Sequence, residues 1–498
     1  MFEKTNFKFL ILLSIFQIIK SSKILIISQQ PYEHHQKIAK SLAEDLIERN
    51  HFVTLFTIDK IENLSNKIQH FNFGNSLIIE SDVKFRKSKM NWLQKFQYLT
   101  NLHSKLTENH LKDSRIQKII KQEEKFDILI IDCVICALLI IADVQKIPAI
   151  YLSPTEPLNF FHDFFGNTVN PALHPDTQIF PYKHGNLNFP QRFNSFFASQ
   201  YFKFIGEFQH CRKIEKLTGV KCQQLYEHLS FMFIYTHHKF GYFRPLVPNV
   251  IQIGFTYVEK SKYNEKIQNF LDNSVHGVIF MDIKDLDFET SQIFFNIFIN
   301  LSYNFIWQIK NVTKFHSRNI LIIDETQAHK STILSHKSIK LFITSGDLID
   351  IETAVYYNVP SLIIPLARDQ FVTAHNMEEL KIALQIDFDD INEKYLIGKI
   401  EFLINNLGEF KENCKKLKEI AMMKKRRKEV AAWHVEYVIR RNGAKHLRYP
   451  GRDVPYWQKQ FYDIYLFFSV IIFIIIKIKK IFKSLKMKRK EMKEKKNQ

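Results

Sequence analysis

Residues 341–370, LFITSGDLIDIETAVYYNVPSLIIPLARDQ, constrain the fold of this chain more than any other stretch. An apolar run at 341–344 leads into the turn Ser345-Gly346-Asp347. A helical pattern over 348–357, a turn at Asn358 and a second apolar run at 360–365 follow. Short apolar runs on either side of a helical segment read as one βαβ unit, which demands a parallel sheet. In open α/β sheets ligands bind beyond the carboxyl ends of the strands, so residues 345–350 and 368–370 are expected to share one crevice. Asp369 and Gln370 supply carboxylate acceptors and an amide there, a set suited to vicinal sugar hydroxyls.

The same arrangement opens the chain. The run 23–28, KILIIS, is followed by the loop 29–36, QQPYEHHQ, a helix over 37–50 and the strand HFVTLFTI at 51–58. Ile38, Leu42 and Leu46 make the apolar stripe of that helix, and Asn50 closes it. His34 and His35 therefore fall just past the first strand, at the ligand edge. A second strand, 126–132, ends in Asp132, and a helix at 136–144 and the strand IPAIYLS at 147–153 follow, so Asp132 reaches the same edge. An imidazole titrates near neutrality and accepts an alcohol proton; a carboxylate on its other nitrogen fixes the tautomer and stabilises the imidazolium.

Together, FIT before a helix, NVPSLIIPL with Asp369-Gln370, and the ordered set Trp433, Glu436, Arg440, Gly443, Ala444, His446, Leu447 and Arg448 resemble the UDP-glycosyltransferases, in particular the UDP-glucuronosyltransferase branch. The resemblance implies two facing Rossmann-like domains of the GT-B type, at 23–245 and 246–448, joined near the proline-bearing segment 243–254. It selects His35 over His34 as catalytic base, with Asp132 orienting it and Asp369 and Gln370 holding the donor sugar. It also implies transfer of a hexosyl group, glucuronic acid being the expected one, from UDP to a small apolar alcohol or phenol with inversion. No metal and no cofactor beyond the UDP-sugar is implied. The aromatic stretch 159–243 suits an apolar acceptor pocket or plain core.

The donor half departs from the family. Lys284 and Asp285 replace a Gly-Ser at the phosphates, Gln327 replaces the uracil-stacking tryptophan, and His329-Lys330 replaces Pro-Gln. Ser345 stands where a histidine touches the pyrophosphate, Asp347 takes the place of a glycine after Gly346, and Thr353 replaces the acidic residue at the ribose. A helix N-terminus favours anions, and Asp347 and Asp350 put carboxylates there instead. Lys284 and Lys330 are the nearby cations that offset them. These departures keep a second reading open: a non-catalytic relative that serves as a lumenal binding or regulatory partner, alone or in oligomers with related transferases.

The formal net charge of +19 does not indicate a nucleic-acid partner, because about half of it sits in residues 477–498 and no nucleic-acid motif accompanies it. Residues 1–22 read as a secretory signal peptide, the alternative being a first core strand behind a disordered tip. Secretion would make Asn63, Asn300 and Asn311 glycan sites. Five cysteines, Cys133, Cys136, Cys211, Cys222 and Cys414, are too few and odd in number for a disulfide framework. The apolar run 461–476 before Lys477, Lys479 and Lys480 reads as a transmembrane helix over 461–478 with a basic cytoplasmic tail at 479–498, or as a surface-lying helix. The first reading gives a single-pass endoplasmic reticulum protein with lumenal domains, and Lys495-Lys496 before the last two residues resembles a dilysine retrieval signal.

Overall fold

The computed structural model describes residues 21–61, 64–74, 90–180, 187–236, 240, 244–254, 264–283, 286, 288–309, 316–324, 327–366, 369–422 and 427–496. The expected signal peptide, apart from Ser21 and Ser22, lies outside the described residues, as do Lys284, Asp285, Arg368, Asn63 and Asn311.

Two parallel sheets organise residues up to Arg448. The first runs in the order β3-β2-β1-β4-β5-β6-β7, with β1 Lys23–Ser28, β2 Phe52–Thr57, β3 Ile68–Asn72, β4 Ile128–Asp132, β5 Ala149–Ser153, β6 Leu229–Ile234 and β7 Val250–Gln252. It thus extends past residue 245, where the second domain was expected to begin. The second runs β10-β9-β8-β11-β12-β13, with β8 Val278–Asp282, β9 Asn304–Gln308, β10 Ile320–Ile323, β11 Ile339–Thr344, β12 Ser361–Ile363 and β13 Ala383–Gln385. Every pairing is parallel. Parallel strands are covered by helices on both faces, which is why β4, ILIID, and β8, VIFMD, are apolar almost end to end and buried throughout.

In each sheet the strand order reverses once, between β1 and β4 and between β8 and β11, and a crevice opens beyond the strand ends at such a point. Pairing of Ser28 with Asp132 puts the ends of β1 and β4 side by side. Pairing of Asp282 with Thr344 does the same in the second sheet.

The helix Arg427–Arg440 straps back across the first domain. Glu436 is buried there and accepts from Arg49 Nη1 at 3.0 Å, with His51 Nε2 at 3.4 Å. Its exit needs Gly443: φ is +94°, and a Cβ would stand 2.8 Å from Ser230 Oγ. One apolar cluster runs from Ile26 and Ile38 through Val435 to Leu348 and Met377, tying both sheets to this strap.

Two expectations are corrected. Four of the five cysteines pair, Cys133 with Cys136 and Cys211 with Cys222, because each pair closes a short local loop and no shared framework is needed; Cys414 is buried and free. The C-terminal transmembrane helix is also overturned, since no helix among the described residues is long and apolar enough to cross a membrane. The tail forms one helix, Tyr462–Lys496, whose uncharged stretch runs only between Asp463 and Lys477. At 1.5 Å per residue that stretch covers roughly 20 Å against a hydrocarbon core of about 30 Å.

Candidate active site

His35 lies in the first turn of the helix Glu33–Glu48, which begins four residues earlier than the sequence pattern suggested. His35 is 3% exposed, and its Nδ1 is 2.8 Å from Asp132 Oδ2. The neighbouring His34 is half-buried and stacks on Tyr32. Asp132 is held on three further sides. Ser28 Oγ donates to Oδ2 at 3.1 Å, Gln30 Nε2 donates to Oδ1 at 2.8 Å, and the Asp132 carbonyl accepts from Gln29 N at 3.1 Å. Ser28 Oγ and Gln30 Nε2 hold the carboxylate in one rotamer with Oδ2 facing Nδ1 of His35, which turns Nε2 away from Asp132.

His35 opens on a cavity lined by Gln30, Tyr32, Phe96, Leu99, Val134 and Tyr151 among others. Phe96, Leu99, Thr100 and His103 make one face of the helix Trp92–Leu111, which a capping box of Asn91 and Gln94 starts. Among its described residues, the aromatic stretch 159–243 contributes Gln178 and Ile179 to the lining. Helical spacing of Phe96, Thr100 and His103 was the available signal, but spacing alone does not say what a face covers.

Below the cavity wall lies a buried polar network. Glu156 Oε1 forms an ion pair with Arg244 Nη2 at 3.0 Å and is 3.0 Å from His162 Nε2. Burial works to raise the Glu156 pKa, but the Arg244 guanidinium and the His162 bond outweigh it and hold it low. Burial pushes His162 down to about 4, with Arg244 adding to the effect. Burial raises Asp176 to about 6 against backbone N–H bonds from Asn159 and Gln178.

At the second crevice Gly346 adopts φ +94°, where a Cβ would meet Ile363 Cγ2 at 2.6 Å. Ser345 is buried beside it. Asp347 is the N-cap of Leu348–Tyr356 but makes no side-chain cap bond; its Oδ1 accepts from Gln370 Nε2 at 3.0 Å. Gln370 Oε1 in turn accepts from Leu366 N at 2.9 Å, so Gln370 stitches the two turns together. Asp369 caps the helix Gln370–Glu379 through its carbonyl, which accepts from Thr373 N at 3.0 Å. Lys330, in the first turn of Lys330–Leu334, is clamped by Asp350 at 2.7 and 2.9 Å and by Asp282. Burial opposes its charge, but the Asp282 and Asp350 carboxylates outweigh burial and push its pKa up. Gln327 is exposed, and its Oε1 accepts from Asp324 N at 3.1 Å.

A family model described as UDP-glucoronosyl and UDP-glucosyl transferase matches residues 33–498. UDP-glucosyltransferase 2 of Dactylopius coccus is 26% identical over 94% of this chain and 93% of its own length. UDP-glucuronosyltransferase 2B23 of Macaca fascicularis is 24% identical over 91% of this chain and 92% of its own. Among solved structures, Phytolacca americana UGT2 complexed with UDP-2fluoro-glucose and pterostilbene aligns with a TM-score of 0.55 at 15% identity, over 84% of this chain and 99% of that one. The two sheets, their paired crevices and this coverage identify the chain as a divergent member of the UDP-glucoronosyl and UDP-glucosyl transferase family, a glycosyltransferase of the GT-B fold.

Proposed function

We propose that the protein transfers a hexosyl group from a UDP-sugar to the hydroxyl of a small apolar acceptor, with His35 as general base. The observation that carries this reading is the 2.8 Å contact between Asp132 and His35, which lines a cavity walled in part by Phe96, Leu99, Val134 and Tyr151. The acceptor O–H gives its proton to Nε2 as the oxygen attacks the anomeric carbon. The bond from that carbon to the UDP oxygen breaks, and UDP leaves with the electron pair. One displacement inverts the carbon, and Asp132 stabilises the imidazolium formed.

Glucose is favoured over glucuronate as the transferred sugar. Among the described residues the donor edge carries Asp282, Asp347, Asp350 and Asp369 against Lys330, and a glucuronate carboxylate would add repulsion there. The named glucosyltransferase relative agrees with this choice. The two disulfides favour an oxidising compartment such as the endoplasmic reticulum lumen. The test is UDP release with UDP-glucose and a phenol, compared with the same assay using UDP-glucuronate; a faster reaction with glucuronate removes the donor assignment.

One observation favours a second reading, a member without donor affinity: Lys330 is already neutralised by two carboxylates where the phosphates would lie. Calorimetric titration with UDP separates the two. Binding at micromolar concentration supports transfer, and no heat at millimolar UDP supports the second reading.

A further inference from the structure

Glu156 has a feature that its ion pair does not explain. It lines the same cavity as His35 and is 7% exposed. Arg244 Nη2 and His162 Nε2 each lie 3.0 Å from one oxygen, Oε1. Oε2 has no hydrogen-bond partner among the described residues, yet it is not one of the buried atoms sealed from solvent. Glu156 lines the cavity, so a ligand there can reach this open oxygen. A carboxylate kept only to balance Arg244 would be expected to share both oxygens with the guanidinium fork.

We propose that Glu156 is a specificity-determining residue: Oε2 accepts a hydrogen bond from a second donor group on an acceptor whose other hydroxyl reaches His35. The acceptor class is then an apolar body carrying two polar ends, the reacting hydroxyl and a distal hydroxyl or ammonium. This rests on the cavity being the acceptor site, as proposed above. Glu156 is held ionised by Arg244 and His162, which makes it a strong acceptor at neutral pH. Arg244 is itself 98% buried as a side chain and cannot turn to the ligand without abandoning Glu156.

The test uses binding without donor, so it does not depend on turnover. Calorimetry compares 2-naphthol, 2,6-dihydroxynaphthalene and 6-(aminomethyl)-2-naphthol on the full-length protein. The expected result is that the diol binds about tenfold or more tightly than 2-naphthol, the size of one hydrogen bond to a charged group. A larger gain for the aminomethyl compound than for the diol assigns the distal group as an ammonium, and a smaller one as a hydroxyl. In Glu156→Gln the carbonyl oxygen must face Arg244 and His162, which turns the amide NH2 toward the cavity. The diol preference should then fall to about threefold or less, while 2-naphthol binds as before. Equal affinity of wild type for 2-naphthol and the two bifunctional ligands overturns the assignment even if the variant fails to fold, and so does a preference that survives Glu156→Gln. If no naphthol binds wild type, the acceptor cavity itself is wrong; equal binding removes Glu156 alone.

Discussion

His35 and Asp132 stand 97 positions apart in sequence, yet the pairing of β1 with β4 brings the two side chains within 2.8 Å. His35→Ala should lower the turnover rate by roughly 10²- to 10⁴-fold, the usual size of a general-base contribution, while UDP binds as before. Asp132→Asn should act in the same direction, because the amide lets the wrong tautomer form; equal initial rates in wild type and His35→Ala would remove the residue from the reaction. The strand ends put Asp132 and the pair His34–His35 at one edge in the sequence, and the choice of His35 over His34 rested on the family resemblance. The role of Lys330 was not readable. Nothing in its spacing says that Asp282 and Asp350 enclose it, which depends on how β8 and the helix after β11 pack. Lys330→Met should therefore destabilise the fold by about 3 to 5 kcal/mol, leaving two carboxylates buried together without a cation, as read from chemical denaturation. An unchanged denaturation midpoint would mean that the clamp contributes nothing.

Among elements, the βαβ units at residues 23–57 and 341–363 were legible because period and turn residues agree there, down to Asn358, which adopts φ +56°. The start of the first helix was not, because Glu33 and His34 carry no apolar period and the helix gains its first turn from packing over Asp132. The aromatic stretch 159–243 left pocket and core both open, because aromatic density marks the two alike, and only topology decides that Trp92–Leu111 lines the cavity beside His35. The apolar tail gave an error, since a run of large side chains reads as a span until its charged ends are counted against bilayer thickness. The strap Arg427–Arg440 depends on Glu436. Glu436→Ala removes the partner of Arg49 and His51 and should cost about 1 to 3 kcal/mol by denaturation, with little change in the rate per folded molecule. A large fall in rate at unchanged stability would show instead that the strap tunes the site.

For the whole molecule, burial sets a pH dependence of stability. Burial pushes His110, His162 and His210 each down to about 4 from 6.5, so between pH 4 and 6.5 the folded chain binds fewer protons than the unfolded one. Their contribution is present above pH 6.5 and is lost as pH falls through 4. Asp176, raised by burial to about 6, runs the other way across much of that window, three groups against one. The thermal midpoint should therefore drop as pH is lowered from 6.5 to 4.5, and a flat or rising midpoint would contradict the burial assignments. The central claim is that the two halves, one carrying His35 and Asp132 and the other a rewired donor edge, work together as a transferase. Its most direct measurement is acceptor-dependent release of UDP from UDP-glucose by the full-length wild-type protein, with His35→Ala as control. Release should require both the phenolic acceptor and His35; a folded wild type that releases no UDP, or a His35→Ala variant that releases it equally fast, would contradict the transferase reading.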